Sequence, residues 1–131
     1  MEPGDDRGVR DPRFRQALAA LHELLAARDV PAPILRDALI QRFEFTFEAM
    51  WKALQARARD QGLEAGSPRQ ALQAALRMGL LDASDEEDAW ALLHWRNLTV
   101  HTYDEATALE VESFVRSRAV VLFDRVADRT R

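Results

Sequence analysis

No cysteine occurs among the 131 residues, which excludes disulfides and thiolate metal sites and leaves nothing that calls for an oxidising compartment. Glycine and proline are scarce, five of each, and they fall between periodic segments, a pattern that favours long helices with short connections. Long apolar runs are missing too. No stretch approaches the ~20 consecutive apolar residues of a membrane span, and the opening MEPGDDRGVRD lacks the apolar centre of a secretory signal. A cytoplasmic protein that does not engage a membrane is therefore expected. Nor is there an excess of positive charge: 18 Lys and Arg stand against 22 Asp and Glu, a formal net charge of −4. That balance is unlike the basic footprint of a duplex-binding protein, so any nucleic-acid contact must come from a local arginine cluster. Lysine is almost absent. Lys52 is the only one, and the preference for arginine reads as a compositional bias of the source, not as function.

What is present is an ordinary globular composition, 47% hydrophobic and 31% charged. The length fits one domain, which at this size buries roughly two-thirds of the surface its unfolded chain would expose. Residues 1–11 read as a disordered tail and residues 12–131 as the folded domain. Asp11 before Pro12 has the chemistry of a helix N-cap. Phe14, Leu18, Leu21 and Leu25 then make one apolar stripe, ended near Asp29 by the VPAP that follows. A second, longest helix is expected from about Ile34 to Arg59, some 40 Å at 1.5 Å per residue. Its main stripe is Ile40, Phe43, Phe47, Met50 or Trp51, and Leu54. The segment FEFTF alternates like a strand, but the flanking periodicity is helical over too long a window for that assignment. Phe45 is turned ~200° from Phe43 and Phe47, so this helix is apolar on two sides: either it is central in a bundle or its second face meets another chain. Ser67–Pro68 opens a short third helix carrying Leu72, Leu76 and Leu80. Ser84 with Glu87 forms a capping box for a fourth helix, with Trp90, Leu93 and Val100 on its inner face. Thr102 with Glu105 forms another, starting a last helix to about Asp128 that carries Ala108, Val111, Val115, Ala119, Leu122 and Val126. The fold class is all-α: an antiparallel up-and-down bundle of four long helices plus one short one.

The chemistry-bearing residues gather at the corner between the last two helices, RNLTVHTYDE. Arg96 offers a permanently charged planar fork for phosphate oxygens, and His101 has an imidazole that exchanges a proton near neutrality. Five residues turn ~140° around a straight helix, so the two side chains diverge unless the helix ends between them or a two-fold axis brings a second pair alongside. A surface ion pair for Arg96 and a helix-terminating role for His101 fit the same spacing. Asn97 supplies an amide able to position a substrate or hold the imidazole. Tyr103 is open to three readings: a stacking platform for a base, a modifiable phenol, or an ordinary residue at a helix start. His94, one residue before Trp95, either neighbours the corner or has a structural role, and the structural role is the one expected. Glu44 and Glu48, one turn apart, lack the ExxH partner of a bundle metal site and read as a solvated or interfacial acidic stripe. Asp82, Asp85, Glu86, Glu87 and Asp88 crowd a helix N-terminus, where the helix dipole favours acids. Arg116 and Arg118 either add positive charge to a site or are simply solvated. Glycine-rich phosphate loops, HExxH and serine-elbow patterns are absent, and so is a strand-borne carboxylate cluster for magnesium. The chain is thus not expected to be a metal-dependent transferase itself.

Two blocks, RDALIQRFEFTFEAMWKAL at residues 36–54 and LLHWRNLTVHTYDE at residues 92–105, resemble the signature segments of the HEPN superfamily. More narrowly they resemble its nucleotidyltransferase substrate-binding branch, related to HepT-type toxins, and SPRQALQAALRMGLL resembles that branch's short-helix segment. The resemblance implies an up-and-down α-bundle that forms a two-fold homodimer. The family's RxxxxHxY motif falls on Arg96, His101 and Tyr103, with Asn97 as the polar residue after the arginine. It implies a metal-independent endoribonuclease without cofactor, acting on single-stranded RNA or tRNA with the two motifs facing each other across the dimer cleft. The implied partner is a minimal nucleotidyltransferase antitoxin that transfers AMP to Tyr103 and silences the toxin. Other members of the branch are non-catalytic partners of the transferase, which is the alternative the resemblance leaves open.

Overall fold

A computed structural model describes residues 12–130; the tail and the Asp11 cap expected from the sequence lie outside them. Among the described residues the chain is all helical, with no strand. The helices are α1 (Pro12–Leu25), α2 (Ala32–Asp60), α3 (Pro68–Arg77), α4 (Glu86–Thr99), α5 (Glu105–Phe114) and α6 (Val120–Asp128). Helices α5 and α6 form one rod, joined through a π-helical stretch at Val115–Ala119. The expected last helix is therefore present with one widened turn. The steps of four from Val111 to Val115 to Ala119 suit that turn, and all three residues are buried.

Helix α1 ends at Leu25, four residues earlier than expected, and Asp29 takes a left-handed conformation at φ 61° in the connection, a region that aspartate enters more readily than most side chains. Helix α2 begins earlier than expected, because Pro31 occupies the N-cap and a proline inside the first turn fits helical φ without losing a needed N–H. Helix α3 starts as its sequence dictates, with the Ser67 hydroxyl accepting from the Gln70 N–H at 3.2 Å. Leu80 lies beyond the end of α3 but is buried all the same, after a turn at Gly79 with φ 76°.

Both expected capping boxes are displaced by stronger acceptors nearby. Ahead of α4, Ala83–Asp85 forms a 3-10 turn, and the Asp85 carboxylate, not the Ser84–Glu87 pair, reaches back to the Asp82 N–H at 2.8 Å. At α5, Asp104 is the N-cap, accepting from the Thr107 N–H at 2.8 Å, while Thr102 stands exposed. A carboxylate binds helix-start N–H groups more strongly than a hydroxyl and also complements the dipole.

The core is built around α2. Phe43 is fully buried, with its ring edge-on to Phe114 at 6.3 Å and tilted against Phe123 at 6.2 Å. Phe47, Met50 and Leu54 continue the buried stripe, with Trp51 only half-buried. Phe45 is 56% exposed, as the helical register requires. Thr46 is buried yet satisfied, its hydroxyl donating to the Arg42 carbonyl at 2.7 Å. The inner face of α4 is Ala89, Leu92, Leu93 and Thr99. Trp90 is only half-buried there, and Val100, 56% exposed, lies past the end of the helix instead of on its inner face.

The acidic run before α4 does more than complement a dipole. Asp85 is buried and pairs with Arg125, Asp82 takes both terminal nitrogens of Arg129 at 2.8 and 3.0 Å, and Asp88 pairs with Arg118 at 3.1 Å. These pairs fasten the start of α4 to the π stretch and α6. Across the molecule, Glu112 accepts from both Arg36 and Arg116, each at 3.1 Å, and so ties α2 to α5. Both Arg116 and Arg118 are therefore charge-compensated.

Candidate functional site

Helix α4 stops at Thr99, between Arg96 and His101, and the Thr99 hydroxyl donates back to the Arg96 carbonyl at 3.2 Å. The divergence imposed by an unbroken helix therefore does not apply to these two residues. What the fold does with them individually differs. Arg96 leaves the inward side of α4 toward α2: its Nη2 donates to Glu48 Oε2 at 2.5 Å, and its guanidinium carbon lies 5.4 Å from the centre of the Phe47 ring. Its Nη1 donates to Asn97 Oδ1 at 2.9 Å. The Asn97 amide thus serves the guanidinium and not the imidazole. His101 is exposed in the corner after α4, where its backbone N–H donates to the Leu98 carbonyl at 3.3 Å. No hydrogen bond joins Arg96 to His101 within the chain.

Glu48 is the residue whose part in this corner sequence reasoning missed. Instead of lining a solvated stripe, it accepts from Arg96 on one carboxylate oxygen and from Trp51 Nε1, at 3.0 Å, on the other. Only tertiary structure brings it there, since α2 and α4 run side by side and no local spacing links Glu48 to Arg96. The accessible part of the pair, with 21% of the Arg96 side chain and 39% of Glu48 exposed, lies at the surface and is reachable from solvent.

Tyr103 lies half-buried against an open cleft of about 520 Å³ lined by Asp37, Ala38, Ile40, Gln41, Glu44 and Thr99. Burial raises the phenol pKa above its ordinary value, and the carboxylates of Asp37 and Glu44 raise it further because they oppose a second negative charge. The ring consequently stays neutral, with its body packed on the core and the surrounding cleft acidic. His94 is exposed and stacks edge-on against Trp95 at 4.9 Å, in keeping with a structural role. Among the described residues no group of three or more His, Asp or Glu side chains is placed to share a metal ion, and no helix is long and apolar enough to cross a membrane.

Chemically, this corner offers a fixed cation with N–H donors to spare, an exposed imidazole five residues on, and a phenol two residues further along the chain. That set suits an oxyanion such as a phosphodiester and proton transfer next to it. Fold and site together define an α-helical bundle with an arginine–carboxylate centre at one helix end. Residues 11–131, nearly the whole chain, match the family model described as nucleotidyltransferase substrate binding protein like, and the chain belongs to that family. A protein from Thermus thermophilus, known from its crystal structure, is 42% identical, with a TM-score of 0.80 over 90% of this chain and 98% of its own. No curated protein matches the chain.

Proposed function

We propose that this protein is a HEPN ribonuclease toxin of the HepT-like branch: a homodimer, partnered and silenced by a minimal nucleotidyltransferase. The observation that carries the reading is the break in α4 between Arg96 and His101. It frees the imidazole from the helix that fixes the guanidinium, so both groups can serve one phosphodiester. Membership of the nucleotidyltransferase substrate-binding family supports a transferase as the partner.

In this reading the 2′-hydroxyl of the RNA attacks the adjacent phosphorus and the 5′-oxygen of the next nucleotide leaves, giving a 2′,3′-cyclic phosphate and a 5′-hydroxyl end. His101 of one copy takes the proton from the attacking hydroxyl, and His101 of the other copy gives one to the leaving oxygen. Each such transfer typically contributes ~10²–10⁴-fold. Arg96 binds a non-bridging phosphate oxygen and offsets the charge that builds in the transition state. No metal enters these steps. Transfer of AMP to the Tyr103 hydroxyl, with loss of pyrophosphate, would place bulk and negative charge two residues from His101 and repel RNA.

A second reading has its own support. Glu48 already neutralises Arg96, which suits a non-catalytic subunit that presents a substrate to the transferase. Expression in a bacterial host separates the two. The nuclease reading expects growth arrest that His101→Ala relieves, with the fold and dimer of the variant intact. Equal toxicity of the variant would dispose of the catalytic assignment, whereas no toxicity and no cleavage of single-stranded RNA, alongside stoichiometric copurification with the transferase, would decide for the binding subunit.

A further inference from the structure

The contacts of Glu48 point to a role beyond pairing charge. The geometry assigns Glu48 as the positioning residue for Arg96: braced by Trp51, it holds the guanidinium in one orientation and leaves its unused N–H groups for a phosphate oxygen. This rests on the proposed phosphodiester chemistry but deepens it, since neither the motif nor its spacing includes Glu48 or Trp51.

Three contacts fix the guanidinium. Nη2 is bonded to Glu48, Nη1 to Asn97, and one face of the group lies over the Phe47 ring. A guanidinium carries five N–H donors, so these two bonds leave three. The carboxylate is itself fixed, because its second oxygen accepts from Trp51 Nε1 one turn further along α2. A cation pre-set in this way stabilises developing charge without first reorganising, and displacements of about 1 Å in such groups cost on the order of 10²-fold in rate. The arrangement also lowers the net positive charge met by substrate. Its contribution therefore falls on the chemical step more than on binding.

Glu48→Gln tests this sharply. The amide has the shape of the carboxylate but only one acceptor oxygen, whereas two donors, Arg96 and Trp51, converge on it; one contact must become donor against donor. Trp51→Phe removes one of those donors and lets the amide oxygen introduced at position 48 turn wholly to Arg96. The inference expects kcat for single-stranded RNA to fall roughly tenfold or more in Glu48→Gln, with KM changed less than threefold. It also expects Glu48→Gln to cost less in the Trp51→Phe background than alone, a non-additivity that general loosening of the fold would not produce. The guanidinium itself gives a readout that needs no activity: in nitrogen NMR, Arg96 should show hindered rotation in the wild type and free rotation in Glu48→Gln. Free rotation in the wild type, hindered rotation retained in the variant, or unchanged kcat with rotation freed would each overturn the assignment. Should wild type and His101→Ala alike fail to cut RNA, the nuclease reading is lost, while the NMR comparison still decides whether Glu48 sets Arg96.

Discussion

Replacing Phe43 by alanine and, separately, Phe45 by alanine tests the register of α2, on which the position of every residue at the corner depends. The two side chains are identical and two residues apart. Phe43 has no exposed surface and packs on both Phe114 and Phe123, whereas Phe45 is 56% exposed. Truncating a fully buried phenylalanine costs about 3–5 kcal/mol through lost transfer energy and the cavity left behind. A surface truncation stays within about 0.5 kcal/mol. For a chain of this length the unfolding entropy is roughly 0.25–0.28 kcal/mol per kelvin, so Phe43→Ala should lower Tm by roughly 11–20 °C and Phe45→Ala by about 2 °C at most. Phe43→Leu, which restores most of the volume without the ring contacts, should fall between them. Calorimetry, with urea melts to show that the slope m is unchanged, measures all three. Similar losses for the two alanine variants would mean that α2 is rotated from the orientation described, and the Glu48–Arg96 centre would go with it.

Other consequences are as direct. Tyr103 is the only tyrosine, so the near-ultraviolet absorbance of phenolate reports it alone. Its midpoint should lie above the ordinary value of ~10 and move down in Asp37→Asn and Glu44→Gln. Because the folded-state value is the raised one, the stability linked to Tyr103 is whole below ~10 and is lost as pH climbs through the folded value. Asp104 shows the opposite sign. The Thr107 hydrogen bonds lower its pKa, so its capping contribution is present above ~3.9 and disappears as pH falls through the depressed value. Asp104→Ala should lower Tm at neutral pH and flatten that acid dependence, with Thr102→Ala doing neither. Asp85→Ala leaves Arg125 without its partner and removes the acceptor of the Asp82 N–H. It should cost about 3 kcal/mol, the low end for a buried pair because Arg125 keeps access to water.

The helices were legible because their apolar stripes have only one way to be buried. The spacing of Phe14, Leu18 and Leu21, or of Ala108 through Val126, announces both the period and the face. The caps were less legible. Serine and threonine at 84 and 102 match the capping-box pattern, but aspartates within two positions of each cap the same helix starts through other N–H groups, those of Asp82 and Thr107, and at the first start the Asp85 carboxylate is also held by Arg125, a tertiary partner that no local window contains. Val100 shows the same limit, continuing an apolar pattern past a helix end that the pattern cannot see. At the site, the motif residues could be read from one segment and its family resemblance, and the end of α4 between Arg96 and His101 was signalled by a new helix start, read at Thr102 and found at Asp104. Glu48 was hidden for a different reason: its charge suits a solvated helix face equally well, and only the packing of α2 beside α4 turns it toward Arg96.

The central claim is that paired Arg96–His101 motifs cleave RNA by proton transfer and charge stabilisation alone. Incubating the purified, chelator-treated protein with end-labelled single-stranded RNA tests it most directly. The account predicts fragments ending in 2′,3′-cyclic phosphate from the wild type and none from His101→Ala of equal stability. An intact RNA in both, or equal cutting by both, would contradict it.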